Sequence, residues 1–280
     1  MAPFASEVAR EIDRLVIAGH SVAGAAAHEA EALQRMTAHP GLLNTVALLL
    51  LTRPITRDDL GRIVPYLPPA LEDALIENNV AEGVVRWNGE QLALTNDGRD
   101  LAEAVVLLQE SAVADMWQGA EAASTAVEKI AAPLVRGARD IDAPATPSAF
   151  ALFADLIDRP TQSGRVLRAI TAMRYWRADA HRAALHAVGL DASEAHALNR
   201  LWDAHRKVAR VGQGRAEPGE RGLAALETRG LAKDGAITSL GVDQREKIEA
   251  DTDARTDSLY EGLGDGSRHR LLAGLAGLPG

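Results

Sequence analysis

The chain has 280 residues with no cysteine, 39 Asp+Glu against 30 Lys+Arg, and 47% hydrophobic but only 4% aromatic residues. The missing cysteines exclude a disulfide framework, a thiolate metal site and a thiol nucleophile, and they point to a reducing, cytoplasmic setting. The length fits two domains, and an apolar content dominated by Ala and Leu, with few β-branched or aromatic residues, fits a mainly α class.

The stripe Val8, Ile12, Leu15, Val16, Val22, Ala26 and Leu33 predicts a long helix from Phe4 toward His39, interrupted near Gly19 and ended by His39-Pro40-Gly41. Leu42 to Leu51 forms a second apolar stretch that stops at Arg53-Pro54. Thr56 followed by Asp58 and Asp59 reads as an N-cap with acids in the first turn, where the helix dipole favours them. After Pro68-Pro69, Ala70 to Asn78 predicts a helix with Leu71, Leu75 and Ile76 inward and Asn78-Asn79 as its C-cap. Asn88-Gly89 between Val84-Val85-Arg86-Trp87 and Gln91-Leu92-Ala93-Leu94 is a hairpin signal. Thr95 then caps a helix running past Met116 and Trp117.

This order of helix, helix, helix, hairpin and helix, over residues 42–117, resembles a winged-helix domain. Leu94-Thr95-Asn96-Asp97-Gly98-Arg99 is similar to the turn that follows the wing in MarR regulators. The resemblance implies a DNA-binding fold, with residues 70–78 as the reading helix and Arg86 on the wing.

Residues 140–149, with two prolines and no periodicity, read as a linker, dividing the chain into 1–140 and 141–280. Beyond it, helices are predicted at 149–158, 162–175 and 178–188. Asp191 and Glu194 have capping-box spacing for another. A glycine-rich loop, 212–222, precedes Leu223 to Leu231, a turn at Asp234-Gly235, and Thr238 to Gly241, which repeats the spacing of Thr95 to Gly98. Counting from Val80 and from Leu231 as helix ends makes the second wing eight residues shorter. The expected fold is thus mainly α, with two winged-helix-like halves, small β-hairpin wings and long joining helices. Residues 183–195, 226–241, 248–253 and 263–264 also resemble the C-terminal part of an actinobacterial helix-turn-helix family, a likeness covering about 180–278.

The longest apolar run, Val46 to Leu51, is far too short to span a bilayer, and Glu7, Glu11 and Asp13 do not fit a signal peptide, so no membrane partner is expected. Charge is unevenly spread: residues 1–140 hold 11 Lys+Arg and 20 Asp+Glu, whereas residues 141–280 hold 19 of each. Residues 159–210 alone carry ten Lys+Arg against four acids. Phosphate contact requires such cations. Candidate DNA contacts are therefore Arg86, Arg200, Arg206, Lys207, Arg210, Arg215, Arg221 and Arg229. Alternatively, the basic stretch forms solvated helix faces that balance the acidic half across an interdomain contact. The reading helix of the first half offers Glu72, Asp73 and Glu77 and no cation, which leaves open a winged-helix-derived protein that binds a small molecule or a protein partner instead of DNA.

Trp117, Met173, Tyr175, Trp176 and Trp202 could line a pocket for a small apolar ligand, against the alternative of plain core packing. His181 and His186 lie about 140° apart on a helix, and no His-x-x-x-His pair occurs, so no metal or other cofactor is expected. No nucleophile elbow, phosphate loop or dinucleotide-binding turn is present, and the chain is expected not to be an enzyme.

Overall fold

The computed structural model describes residues 3–29, 41–65, 69–140, 148–206 and 219–280. Helix α1 (Phe4–Glu29) runs unbroken through Gly19. The predicted interruption is absent because Gly19 sits at a helix crossing: a Cβ there would lie 3.1 Å from Val113, so the small residue permits close approach. Helix α2 (Gly41–Thr52) is followed by a two-residue strand, β1 (Ile55–Thr56), and α3 (Arg57–Ile63). Thr56 and Asp59 form the capping box of α3.

Helix α4 (Pro69–Ala81) extends past the expected Asn78-Asn79 cap. Asn79 is instead buried, donating from Nδ2 to the Leu75 carbonyl at 2.7 Å. The chain turns at Gly83, whose φ of 72° suits a residue without Cβ. Strands β2 (Val85–Asn88) and β3 (Gln91–Leu94) form the wing, with Asn88 opposite Gln91. The loop is therefore Gly89-Glu90, one residue later than predicted, with Gly89 at φ 62° in its first position. The unpredicted β1 pairs with β3, giving the sheet order β1-β3-β2. Helix α5 (Asn96–Met116) starts at the Thr95 cap, and α6 (Glu121–Gly137) follows a turn at Gly119.

Past residues 141–147, α7 (Phe150–Phe153) starts where Asp179, fully buried on the next helix, accepts from the Ala149 and Phe150 amides and from the Ser148 hydroxyl, and it passes into a 3-10 turn at Ala154–Leu156. The helices predicted at 162–175 and 178–188 are one, α8 (Gln162–Ala187). No glycine or proline separates them, and Tyr175, Trp176, Asp179 and Ala180 are all buried, so α8 is the central helix. Then come α9 (Ala192–Arg206), α10 (Glu220–Thr228), β4 (Ala232–Lys233), β5 (Ala236–Ile237), α11 (Ser239–Asp257) and α12 (Asp265–Gly277).

Among the described residues two apolar cores form. The larger draws α1, α2, α5, α6, α8 and α12 together, so it takes residues from both sides of 140. The smaller holds Leu185, Leu198, Leu201, Leu226, Leu231 and Ile248 of the C-terminal unit. Between α8 and α11 the contact is largely polar: Arg177 bonds Asp253 and Glu249, while His181 meets the Thr252 hydroxyl at 3.1 Å.

Candidate nucleic-acid interface

The two winged-helix units share one local geometry. Thr95 caps α5 by accepting from Gly98 N at 3.0 Å, and Thr238 caps α11 by accepting from Gly241 N at 3.1 Å. Each threonine donates to the carbonyl of a left-handed glycine, Gly83 or Gly230, both at φ 72°. Each threonine amide also donates at 3.1 Å to the next carbonyl, that of Val84 or Leu231. That carbonyl lies 1.8 Å from a Cβ built on Gly98 and 2.2 Å from one built on Gly241, so only glycine fits at the third helical position. The span from glycine to threonine is 12 residues in the first unit and 8 in the second. The second wing is thus four residues shorter, not eight, because Leu231 corresponds to Val84 and not to a helix end.

Aligning Gly83 with Gly230 places α4 on α10 residue by residue. Ala74 then corresponds to Arg221, Glu77 to Ala224, Ala81 to Thr228 and Glu82 to Arg229, and all eight are exposed. From Glu72 to Glu82 the first unit has four carboxylates and no cation, whereas Glu220 to Arg229 has two acids and two arginines. The pair that joins each helix to the one before it is reversed in the same way. In the first unit Arg57 of α3 meets Asp73 of α4 at 2.5 Å, and in the second Asp191, at the start of α9, meets Arg221 of α10 at 3.0 Å. Burial, together with the neighbouring Asp73, pushes the Glu72 carboxyl above its usual value despite Arg57.

The frame beneath α10 is tied by hydrogen bonds. Asp191 and Glu194 form the expected capping box, each amide donating to the other's carboxylate. Arg229 reaches back to Glu194 at 2.7 Å and to the Gly189 carbonyl. A Cβ on Gly222 would lie 2.5 Å from the Ser193 carbonyl, so α10 crosses α9 at close range. In the first unit burial alone would raise the Asp59 carboxyl, yet hydrogen bonds from Thr56 and Arg53 hold it below the ordinary carboxylate value.

Of the predicted DNA contacts, Arg221 is 83% exposed on α10, Arg229 is partly engaged by Glu194, and Arg86 is exposed on the first wing. Arg206 stacks over Trp202, and Arg200 is half-buried on α9. Lys207, Arg210 and Arg215 lie outside the described residues. Lys233 on the second wing and Thr228 on α10, both exposed, were missed; the repeated glycine and threonine pair marks their positions.

Several arginines of the basic stretch pair with acids of the first half, and these arginines range from partly exposed to buried. Arg159 bonds Glu110, Arg165 bonds Glu128, and Arg174 bonds Asp13, all acids of the first half. Arg168 is buried against Gln109 and Glu110, and burial brings its guanidinium down to about 10.

The five ligand candidates do not converge. Trp176 is fully buried, edge-on to Phe150, and Tyr175 stacks on Phe153 with burial pushing its phenol up to about 12. Trp117 donates to the Pro279 carbonyl, while Trp202 stands half-buried on α9. Met173 borders a small cleft with Ile12, Asp13, Arg177 and Tyr260 that admits no more than about one water. Among the described residues no three His, Asp or Glu side chains meet as a metal site, and no helix is long and apolar enough to cross a membrane.

Two helix-turn-helix units, each with a wing, therefore define the class of fold. The profile of a helix-turn-helix family matches residues 98–279, from the first turn of α5 to beyond α12. The chain belongs to that family. The match reaches well upstream of the residues 180–278 expected from sequence, taking in the central helices. No curated protein and no solved structure matches the chain.

Proposed function

We propose that this protein is a DNA-binding transcription regulator that contacts duplex DNA through its C-terminal winged-helix unit. The observation that carries this reading is the exposed face of α10, where Arg221, Thr228 and Arg229 stand at the position a winged helix offers to the major groove, with Lys233 on the wing beside it. Family membership supports it. Among the described residues Arg221 pairs with Asp191 in an exposed contact, which contributes little, so its guanidinium can exchange that carboxylate for phosphate or a base edge.

Kinship to the MarR type is part of the proposal for the first unit, supported by its sheet order and by the Thr95-Gly98 turn. An apolar effector is left out, because four of its five candidate residues are core. The proposal includes no catalytic step.

The test is a fluorescence anisotropy titration of the full chain against random duplex at about 50 and about 200 mM salt. A steep salt slope is expected, lowered by about one in Arg221→Ala. Absence of binding at the lower salt would overturn the proposal in favour of a winged-helix scaffold that binds a protein or small molecule.

A further inference from the structure

We propose that the second wing stays outside the minor groove, with Lys233 on the phosphate backbone and the Asp234 carboxylate held off the base edges, so that sequence is read through the major groove alone. The inference rests on the DNA-binding reading above and assigns the wing its part in it.

The wing is a hairpin of two residues to a strand, with Ala232 opposite Ile237 and Lys233 opposite Ala236. Successive strand residues face opposite ways. Ala232 and Ile237 pack on the smaller core, which sends Lys233 and Ala236 to the outer face, where both are exposed. Asp234 and Gly235 close the hairpin in the left-handed region, at φ 50° and 75°, as a type I′ turn requires. The root is fastened as well. The Thr238 hydroxyl donates to the Gly230 carbonyl at 2.7 Å, and its amide donates to the Leu231 carbonyl at 3.1 Å. Leu226 of α10 belongs to the same core, so wing and reading helix are carried on one support.

Length decides what the tip can reach. A strand rises about 3.3 Å per residue, so Asp234 stands only about 7 Å beyond the buried Ala232. The minor groove of B-DNA is about 7.5 Å deep and about 6 Å wide. To touch base edges there, the wing would have to sink its whole length between the phosphates and drive the core behind Ala232 against them. Charge acts in the same direction. The exposed tip presents a carboxylate, whereas the negative potential of the minor groove attracts Arg, Lys and His, and proteins that read it use cations or amides. Lys233, one residue nearer the root on the outer face, carries the cation that a phosphate contact needs. Base reading then falls to the exposed face of α10.

The experiment uses the full chain and a pool of random-sequence duplex, enriched by repeated binding at about 50 mM salt. The enriched duplex is remade with inosine for guanine and 2,6-diaminopurine for adenine, which exchange the minor-groove amino groups and leave the major-groove donors and acceptors in place. A second copy carries 7-deazapurines, which lack the N7 acceptor of the major groove. Affinity for the first should stay within about twofold of the natural duplex, and affinity for the second should fall roughly tenfold. Asp234→Asn keeps the turn and removes one negative charge near the backbone, so binding should strengthen roughly threefold at about 50 mM salt and less at about 200 mM. Lys233→Ala should lower the salt slope by about one for every sequence alike. Loss of binding to the inosine and diaminopurine duplex would overturn the inference by placing a side chain in the minor groove. Full binding to the 7-deazapurine duplex, or enrichment of no common sequence, would overturn it by removing the major-groove reading. An unchanged affinity in Asp234→Asn, or an unchanged salt slope in Lys233→Ala, would overturn the roles given to those residues. Failure of the wild-type chain to bind any duplex at about 50 mM salt would overturn the DNA-binding reading itself, and the wing's part with it.

Discussion

Arg229 closes on Glu194 at 2.7 Å, joining the residue that ends α10 to the first turn of α9. The carboxylate is 7% exposed and also accepts from the Asp191 amide, so it is held from two sides within the helix-turn-helix. Removing the guanidinium leaves a buried carboxylate with half its partners. Arg229→Ala is expected to cost about 1–2 kcal/mol, because the arginine is itself partly exposed and the pair is screened. Denaturant melts check this, and Glu194→Gln in the same background should recover part of the loss. Equal stability of Arg229→Ala and wild type would show that the clamp contributes nothing.

The carbonyl against each capping glycine sets a second expectation. Gly98→Ala would place a Cβ 1.8 Å from the Val84 oxygen, and Gly241→Ala would place one 2.2 Å from the Leu231 oxygen. Neither obstacle is a flexible side-chain tip, so the backbone must move, at a cost of at least about 1–3 kcal/mol. Thr95→Ala and Thr238→Ala, which lose the cap and the hydroxyl's bond to the Gly83 or Gly230 carbonyl but force no backbone shift, should each cost about 1 kcal/mol. Thermal and denaturant melts of the four variants should rank glycine changes above threonine changes, and the reverse order would sink the account of close approach.

These same positions show what could be read in advance. Thr95-x-x-Gly98 and Thr238-x-x-Gly241 were legible because a cap and a steric constraint both act within four residues. The third instance, Thr161 capping α8 through the Gly164 amide, was not recognised, since its close neighbour is the Glu110 carboxylate, remote in sequence. The division of α8 into two helices failed because Asp179 and Arg182 look like surface residues, whereas Asp179 is a buried cap for α7 and Arg182 is its partner. Strand β1 has only two residues and owes its existence to β3, so local propensity could not reveal it. The acidic character of α4 was plain from sequence, but its correspondence with α10 was not. Counting from helix ends misplaced the second unit until Gly83 and Gly230 supplied the register.

The polar contact between α8 and α11 predicts a pH dependence. Burial alone would raise the Glu249 carboxyl, but Arg245, Arg177 and His181 together hold it below the ordinary carboxylate value. A carboxylate that binds its proton less readily in the folded chain stabilises fully above the unfolded value, and that contribution is lost as pH falls through the lower folded value. Glu249→Gln should therefore be less stable than wild type near neutral pH, and the difference should shrink steadily as the pH drops through the carboxylate range. Melts of both proteins across an acid series measure it. A difference independent of pH would mean that the side chain acts by packing and not by charge.

The tryptophans separate core packing from ligand binding. Trp176 is fully buried against Phe150, with ring centroids 5.0 Å apart, and Trp117 is 4% exposed, whereas Trp87 is 38% exposed and Trp202 is half-buried beside Arg206. Trp176→Ala empties an aromatic-sized volume from the larger core and should cost about 3–5 kcal/mol. Trp202→Ala should cost clearly less, because its ring is partly in water already and the smaller core around Leu198 and Leu201 remains. Acrylamide should quench the Trp87 and Trp202 emission strongly and that of Trp117 and Trp176 weakly. Denaturant melts of the two alanine variants, followed by a thermal-shift screen of planar apolar compounds on the native chain, decide the matter. A compound that raises the melting temperature, and loses that effect in Trp202→Ala while the variant stays folded, would restore an effector site at α9.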